Sequence, residues 1–130
     1  MLAIKDVLNY CSSQMSDVET WRANKADYTK DKSITIYNGS SPGGYRYVYG
    51  GLNGYETKDI SFLVHWGTNP TEAEETAQRL YDLLCYANFE TDDYICKSIP
   101  VYNGPAYIGL SDDGMFEYVV NVEIYYKRKN

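Results

Sequence analysis

The chain has 130 residues, 44% of them hydrophobic and 15% aromatic, enough for one domain with one core, because chains of this size bury about two thirds of the surface they expose when unfolded. That composition excludes intrinsic disorder, and no apolar run approaches the ~20 residues that span a bilayer. Eighteen acidic against twelve basic residues give a net charge of -6, which argues against general affinity for nucleic acid or anionic membrane, since such affinity rests on clustered Lys and Arg.

The opening MLAIKDVLNYC places Asp6 where a secretory signal needs a basic region and an unbroken apolar stretch, so synthesis in the cytoplasm as a soluble protein is expected. Ile4, Leu8, Cys11 and Met15 recur at i, i+4, i+7 and i+11, with Val7 broadening the stripe, and predict a first helix within Leu2 to Met15. Residues 16–32 turn polar and charged around Val18 and Trp21 and read as a connecting segment with room for a short helix. SITIYN then alternates Ile34 and Ile36 inward as a strand, and after the turn GSSPGG a second strand, RYVYG, sets Tyr45, Tyr47 and Tyr49 on one face. Gly50, Gly51, Asn53 and Gly54 punctuate the next connection.

Between Lys58 and Asn88 the pattern is clearest. Ile60, Phe62, Val64 and Trp66 alternate as a half-buried strand. Ala73, Ala77, Leu80, Tyr81, Leu84 and Ala87 form one helical stripe. Asn69 or Thr71 can cap this helix, Pro70 suits its first turn, Thr71 with Glu74 makes a capping box, and Glu72, Glu74 and Glu75 complement the positive end of the dipole. With roughly 17 residues it would run about 25 Å. A strand follows near Asp93 to Ser98, then a break at Pro100 and Asn103-Gly104-Pro105, a strand from Ala106 to Leu110, and a turn at Asp112-Asp113-Gly114. In the final strand Phe116, Tyr118, Val120, Val122, Ile124 and Tyr126 alternate with a largely polar face, and the Asp/Gly turn before it is a hairpin signal. The expected architecture is a single α+β domain over residues 1–130. It has a mixed, mainly antiparallel sheet of five to six strands and two helices in the order α-β-β-β-α-β-β(-β), with the long helix packed on one sheet face.

Candidate chemistry is sparse. Cys11, Cys85 and Cys96 show neither a CxxC pair nor metal-ligand spacing and read as reduced structural thiols. His65 and Ser61 share a strand face, but four residues of strand separate them by about 13 Å, against the ~3 Å that a nucleophile and base need. Gly50, Gly51 and Gly54 precede no helix and no Lys-Ser or Lys-Thr, so they make neither a P-loop nor a dinucleotide fingerprint. Asp92-Asp93 and Asp112-Asp113-Gly114 lack the spaced ligand series of a calcium loop and fit turn chemistry. Lys127, Arg128 and Lys129 read as a solvated basic end. We therefore expect no catalytic residue, no cofactor and no metal. The fifteen tyrosines stand out, since tyrosine offers a large amphipathic contact surface at little rotamer entropy. Tyr45, Tyr47, Tyr49 and Tyr55 are the candidate subunit or partner contacts; the alternatives for the tyrosine strand are a plain sheet face and sugar stacking.

The element order, together with FLVHWGTNPTEAEETAQRLYDLL and the ending DDGMFEYVVNVEIYYKRK, resembles the minor capsid or tail terminator proteins of long-tailed, siphovirus-type bacteriophages and prophages. In that family a strand and short polar turn lead to a helix with a Tyr-Asp-Leu-Leu-like core, here Ala73, Ala77 and Tyr81 to Leu84. A D-x-G turn then opens a long final strand, here Asp112 to Gly114 and Met115 to Lys127. The resemblance implies a non-enzymatic virion component, made in the host cytoplasm. It would form a ring, typically a hexamer, that terminates the tail tube and joins tail to head. Its implied partners are further copies of itself, the tail tube protein and the head-tail connector protein, with DNA passing through the ring without specific binding and no membrane contact. A neighbouring neck or head-completion role is the alternative within this class, and a glycan- or protein-binding module built on the tyrosine strand is the alternative outside it.

Overall fold

The computed structural model describes residues 1–39, 45–46 (backbone) and 55–129. Its elements are α1 (Ile4–Gln14), β1 (Trp21–Ala23), β2 (Lys32–Asn38), β3 (Tyr45–Arg46), β4 (Tyr55–Trp66), α2 (Pro70–Leu84), β5 (Asn88–Glu90), β6 (Tyr94–Pro100), β7 (Ala106–Leu110) and β8 (Phe116–Arg128). This is the expected α+β class and order, with two additional three-residue strands, β1 and β5.

The first helix buries Val7 and Cys11 and closes where the Met15 N–H bonds the Cys11 carbonyl at 2.9 Å. In the segment after it, where a short helix had room, the chain instead forms β1, which pairs parallel with β2 (Trp21 opposite Ile34, Arg22 opposite Thr35). Trp21 is held by its ring N–H on the Val18 carbonyl at 3.1 Å. The return to β2 is fixed by Asp27, which accepts from the Thr29 N–H at 3.1 Å and from the Thr29 hydroxyl and pairs with Arg22 at 2.9 Å. The Thr29 hydroxyl and the Arg22 guanidinium hold the Asp27 carboxyl low, at about 2.

The second helix starts at Pro70 with Asn69 as its cap: the Asn69 side chain accepts from the Thr71 and Glu72 N–H groups. Thr71, the other candidate cap, lies inside the first turn. The helix has 15 residues and buries Ala73, Thr76, Ala77, Leu80 and Leu84.

All strands join one sheet, and every pairing except β1 with β2 is antiparallel. Its spine is the long β4·β8 ladder, from Glu56 opposite Tyr126 to His65 opposite Glu117. Each flank of this ladder carries two strands in line. Beside β4 run β2, opposite Ile60 to Trp66, and β3, opposite Tyr55 and Glu56. Beside β8 run β6, opposite Val122 to Arg128, and β7, opposite Phe116 to Val119. Pro100, read from the sequence as a break, is the last paired residue of β6, opposite Val122. One half of the sheet therefore has the strand order β1-β2-β4-β8-β7, and the other β3-β4-β8-β6-β5. A complete row of facing residues crosses the first half as Arg22, Thr35, Leu63, Val119 and Ala106, and another crosses the second as Tyr45, Glu56, Tyr126, Cys96 and Phe89.

Both helices cover the same face. Ile34, Ile36, Ile60, Phe62, Val64, Val120, Val122 and Ile124 are 0–1% exposed and pack there with Leu2, Val7, Leu80 and Leu84. Each fully buried side chain of this kind contributes about 1.5–3 kcal/mol. The alternation seen in the sequence decides which face this is. Asp59, Ser61, Leu63 and His65 of β4 and Glu117, Val119, Asn121 and Glu123 of β8 consequently point to the other face.

Candidate functional site

The face away from the helices carries most of the polar side chains of the spine. His65 is 2% exposed, and its Nδ1 lies 3.0 Å from Glu117 Oε2 on the neighbouring strand. The Tyr28 ring, reaching over from the segment after β1, stands edge-on to the imidazole, 5.3 Å between centroids and 85° between planes. Ser33 is the direct partner of His65 on β2, so Ser33, His65 and Glu117 lie in one row across three strands. The row does not form a nucleophile and base: the Ser33 hydroxyl is buried without a hydrogen-bond partner among the described residues. Ser61, the serine weighed from the sequence, instead donates to Asn121 Oδ1 across the ladder. Alternation alone put Glu117 on the outward face of the last strand, but its pairing with His65 depends on register, which periodicity does not fix.

The remaining candidates fall into structural places. Ser111 organises the turn at Asp112-Asp113-Gly114: its N–H bonds the Met115 carbonyl and its hydroxyl accepts from the Met115 N–H at 3.1 Å. The turn at Asp92-Asp93 closes through the Thr91 N–H on the Tyr94 carbonyl at 2.9 Å. Glu72 binds Lys32 and accepts from the Trp66 ring N–H at 3.2 Å, contacts that hold its carboxyl below the usual range. Among the described residues no group of three or more His, Cys, Asp or Glu is placed to hold a metal ion. All three cysteines are free thiols, and burial pushes Cys11 and Cys96 up to about 12.

The tyrosine candidates divide. Tyr55 is half-buried at the start of β4, with Lys127 Nζ 5.3 Å from its ring centroid. The Tyr45 backbone stands opposite Glu56, while Tyr47 and Tyr49 lie outside the described residues. Sequence reading missed a different surface. Val101, Tyr102, Tyr107, Ile108 and Leu110 are 53–62% exposed and crowd along the flank of β8. Within this group, the Tyr107 ring packs at 5.3 Å on Tyr118 and at 6.3 Å on Phe116. The signal was there to be read: from Ile99 to Ser111 the chain carries no charged residue.

What the described residues present is a two-layer α+β scaffold with open strand edges and a polar sheet face. The family model for the bacteriophage tail terminator protein matches residues 7–128, and the chain belongs to that family: it is a structural phage tail protein, a component of the virion. No curated protein matches it.

Proposed function

We propose that this protein forms a ring that ends the tail tube and joins it to the head, bound on one side by the tail tube protein and on the other by the head-tail connector protein. The observation that carries the reading is the family match over nearly the whole domain, and two physical features agree with it. The open strand edges supply the two different patches that a head-to-tail ring requires of each subunit. The net charge of -6, multiplied in a hexamer to 6 × (-6) = -36, keeps a passing phosphate backbone from sticking to the channel. Asp59 on the outward sheet face and the exposed turns at Asp92-Asp93 and Asp112-Asp113 are the groups that would line it. Tyr45, Tyr47, Tyr49 and Tyr55 are proposed as subunit contacts beside them.

Electron microscopy of the purified protein, alone and mixed with tail tubes, tests this directly. Rings, or tubes with capped ends, are expected. Neither rings nor tube binding under either condition would remove the proposal.

A further inference from the structure

The strand β7 is an edge. It pairs with β8 on one side, and among the described residues no strand pairs with its other side. Monomeric proteins blunt such edges with charges, prolines or cover, because a row of unpaired N–H and C=O groups templates another strand. Along β7 there is no charge and no proline, although the strand does carry a bulge between Tyr107 and Gly109. The edge is uncharged, and Tyr107, Ile108 and Leu110 are more than half exposed. An apolar open edge calls for an extended strand that supplies main-chain hydrogen bonds and apolar cover.

A matching edge lies at the far end of the same five-stranded row. The strand β1 pairs with β2 and, among the described residues, with no other strand. An open cleft of about 480 Å³ runs alongside it, lined by Trp21, Arg22, Ala23, Lys25, Ala26 and Asp27. The charge of Arg22 is balanced by Asp27 at 2.9 Å, and Lys25 adds a positive charge to the cleft lining. Direction agrees as well. Following the pairings from β1 to β7, the two edge strands run in opposite senses, so a copy placed beside the first in the same orientation meets it antiparallel.

We propose that β7 of one copy adds antiparallel to β1 of the next, with Ala106 opposite Arg22, so that successive sheets join edge to edge. The occupant of the β7 edge is thus a second copy of this chain. The inference rests on the ring reading and names the surface that builds the ring.

Arg22 and Ala106 end the same cross-sheet row, which makes them the disulfide probe. In a Cys85→Ser background, the full chain carrying both Arg22→Cys and Ala106→Cys should, on mild oxidation with and without tail tubes, give a ladder of multimers. A mixture of the two single variants should stop at dimers. Ile108→Lys with Leu110→Lys, both at exposed positions, should abolish the ladder and the rings while leaving the thermal unfolding transition in place. If the unsubstituted protein forms rings but the paired cysteines give no ladder and the lysines change nothing, the β7–β1 contact is wrong and the ring reading stands. A ladder without rings supports the edge contact and counts against the ring. The absence of both removes both proposals.

Discussion

Gly39 stands at a place where one atom decides the packing. Its N–H bonds the Asp59 carbonyl at 2.7 Å, just past the last residue of β2, and a Cβ built there would lie 2.6 Å from the Asp59 Cβ and 2.9 Å from the Asp59 carbonyl oxygen. Because part of the obstacle is backbone of the central strand, it cannot swing aside as a flexible side chain would. Gly39→Ala is expected to lower stability by about 1–3 kcal/mol, the range for forced overpacking, read as a shifted midpoint in urea titration. An unchanged midpoint would show that the chain slides past β4 freely. At this scale the sequence is least legible. The pairings of His65 with Glu117 and of Ser61 with Asn121 need the β4·β8 register, and a one-residue slip would send every side chain of a strand to the opposite face. Periodicity sorts residues between faces, but does not say who stands opposite whom.

Elements were legible in proportion to their length. The alternation of β4 and β8 and the stripe of α2 each repeat often enough to identify the element, and Ile60, Phe62, Val64, Leu80, Leu84, Val120, Val122 and Ile124 are buried as those periods require, whereas Ala87 falls beyond the end of α2 at Leu84 and Tyr81, Phe116 and Tyr118 are half-buried. The strands β1 and β5 have three residues each, too few for a period to show, and the first lies in a stretch whose polar composition reads as a connection. Their formation rests on tertiary pairing with β2 and β6, which no local pattern carries. The start of α2 offered two caps, and geometry chooses between them. Asn69 takes the two N–H groups at 3.0 and 3.2 Å, whereas Thr71 is exposed in the first turn. Asn69→Ala should therefore cost about 1 kcal/mol, and Thr71→Ala little. Chemical denaturation of the two variants side by side checks the assignment, and the reverse order would refute it.

For the molecule as a whole, charge distribution links fold to role. Helices cover one face of the sheet, which leaves Asp59, Glu117 and Glu123 on the other, and the turns at Asp92-Asp93 and Asp112-Asp113 add exposed carboxylates. If the exposed carboxylates border a channel, reversing Asp59 or one of the turn residues Asp92, Asp93, Asp112 and Asp113 to Lys should leave tails complete in the microscope but reduce the infectious titre, because DNA would then stick in transit. Full titre after reversal of each exposed acidic residue in turn would exclude an acidic lumen. Class, order of elements and family resemblance were all readable from 130 residues. The exposed stretch along β8 was passed over, because it becomes a surface only once β7 is known to lie at an edge. That edge also contains an irregularity: the register between β7 and β8 shifts between Tyr107 and Gly109, and a bulge sharpens the local right-handed twist of its strand. In a head-to-tail assembly, the rotation from one subunit to the next separates a closed circle from an endless filament. Ile108, the residue inserted there, would act as a protractor, and removing it could turn a cap of fixed size into a polymer of no fixed length.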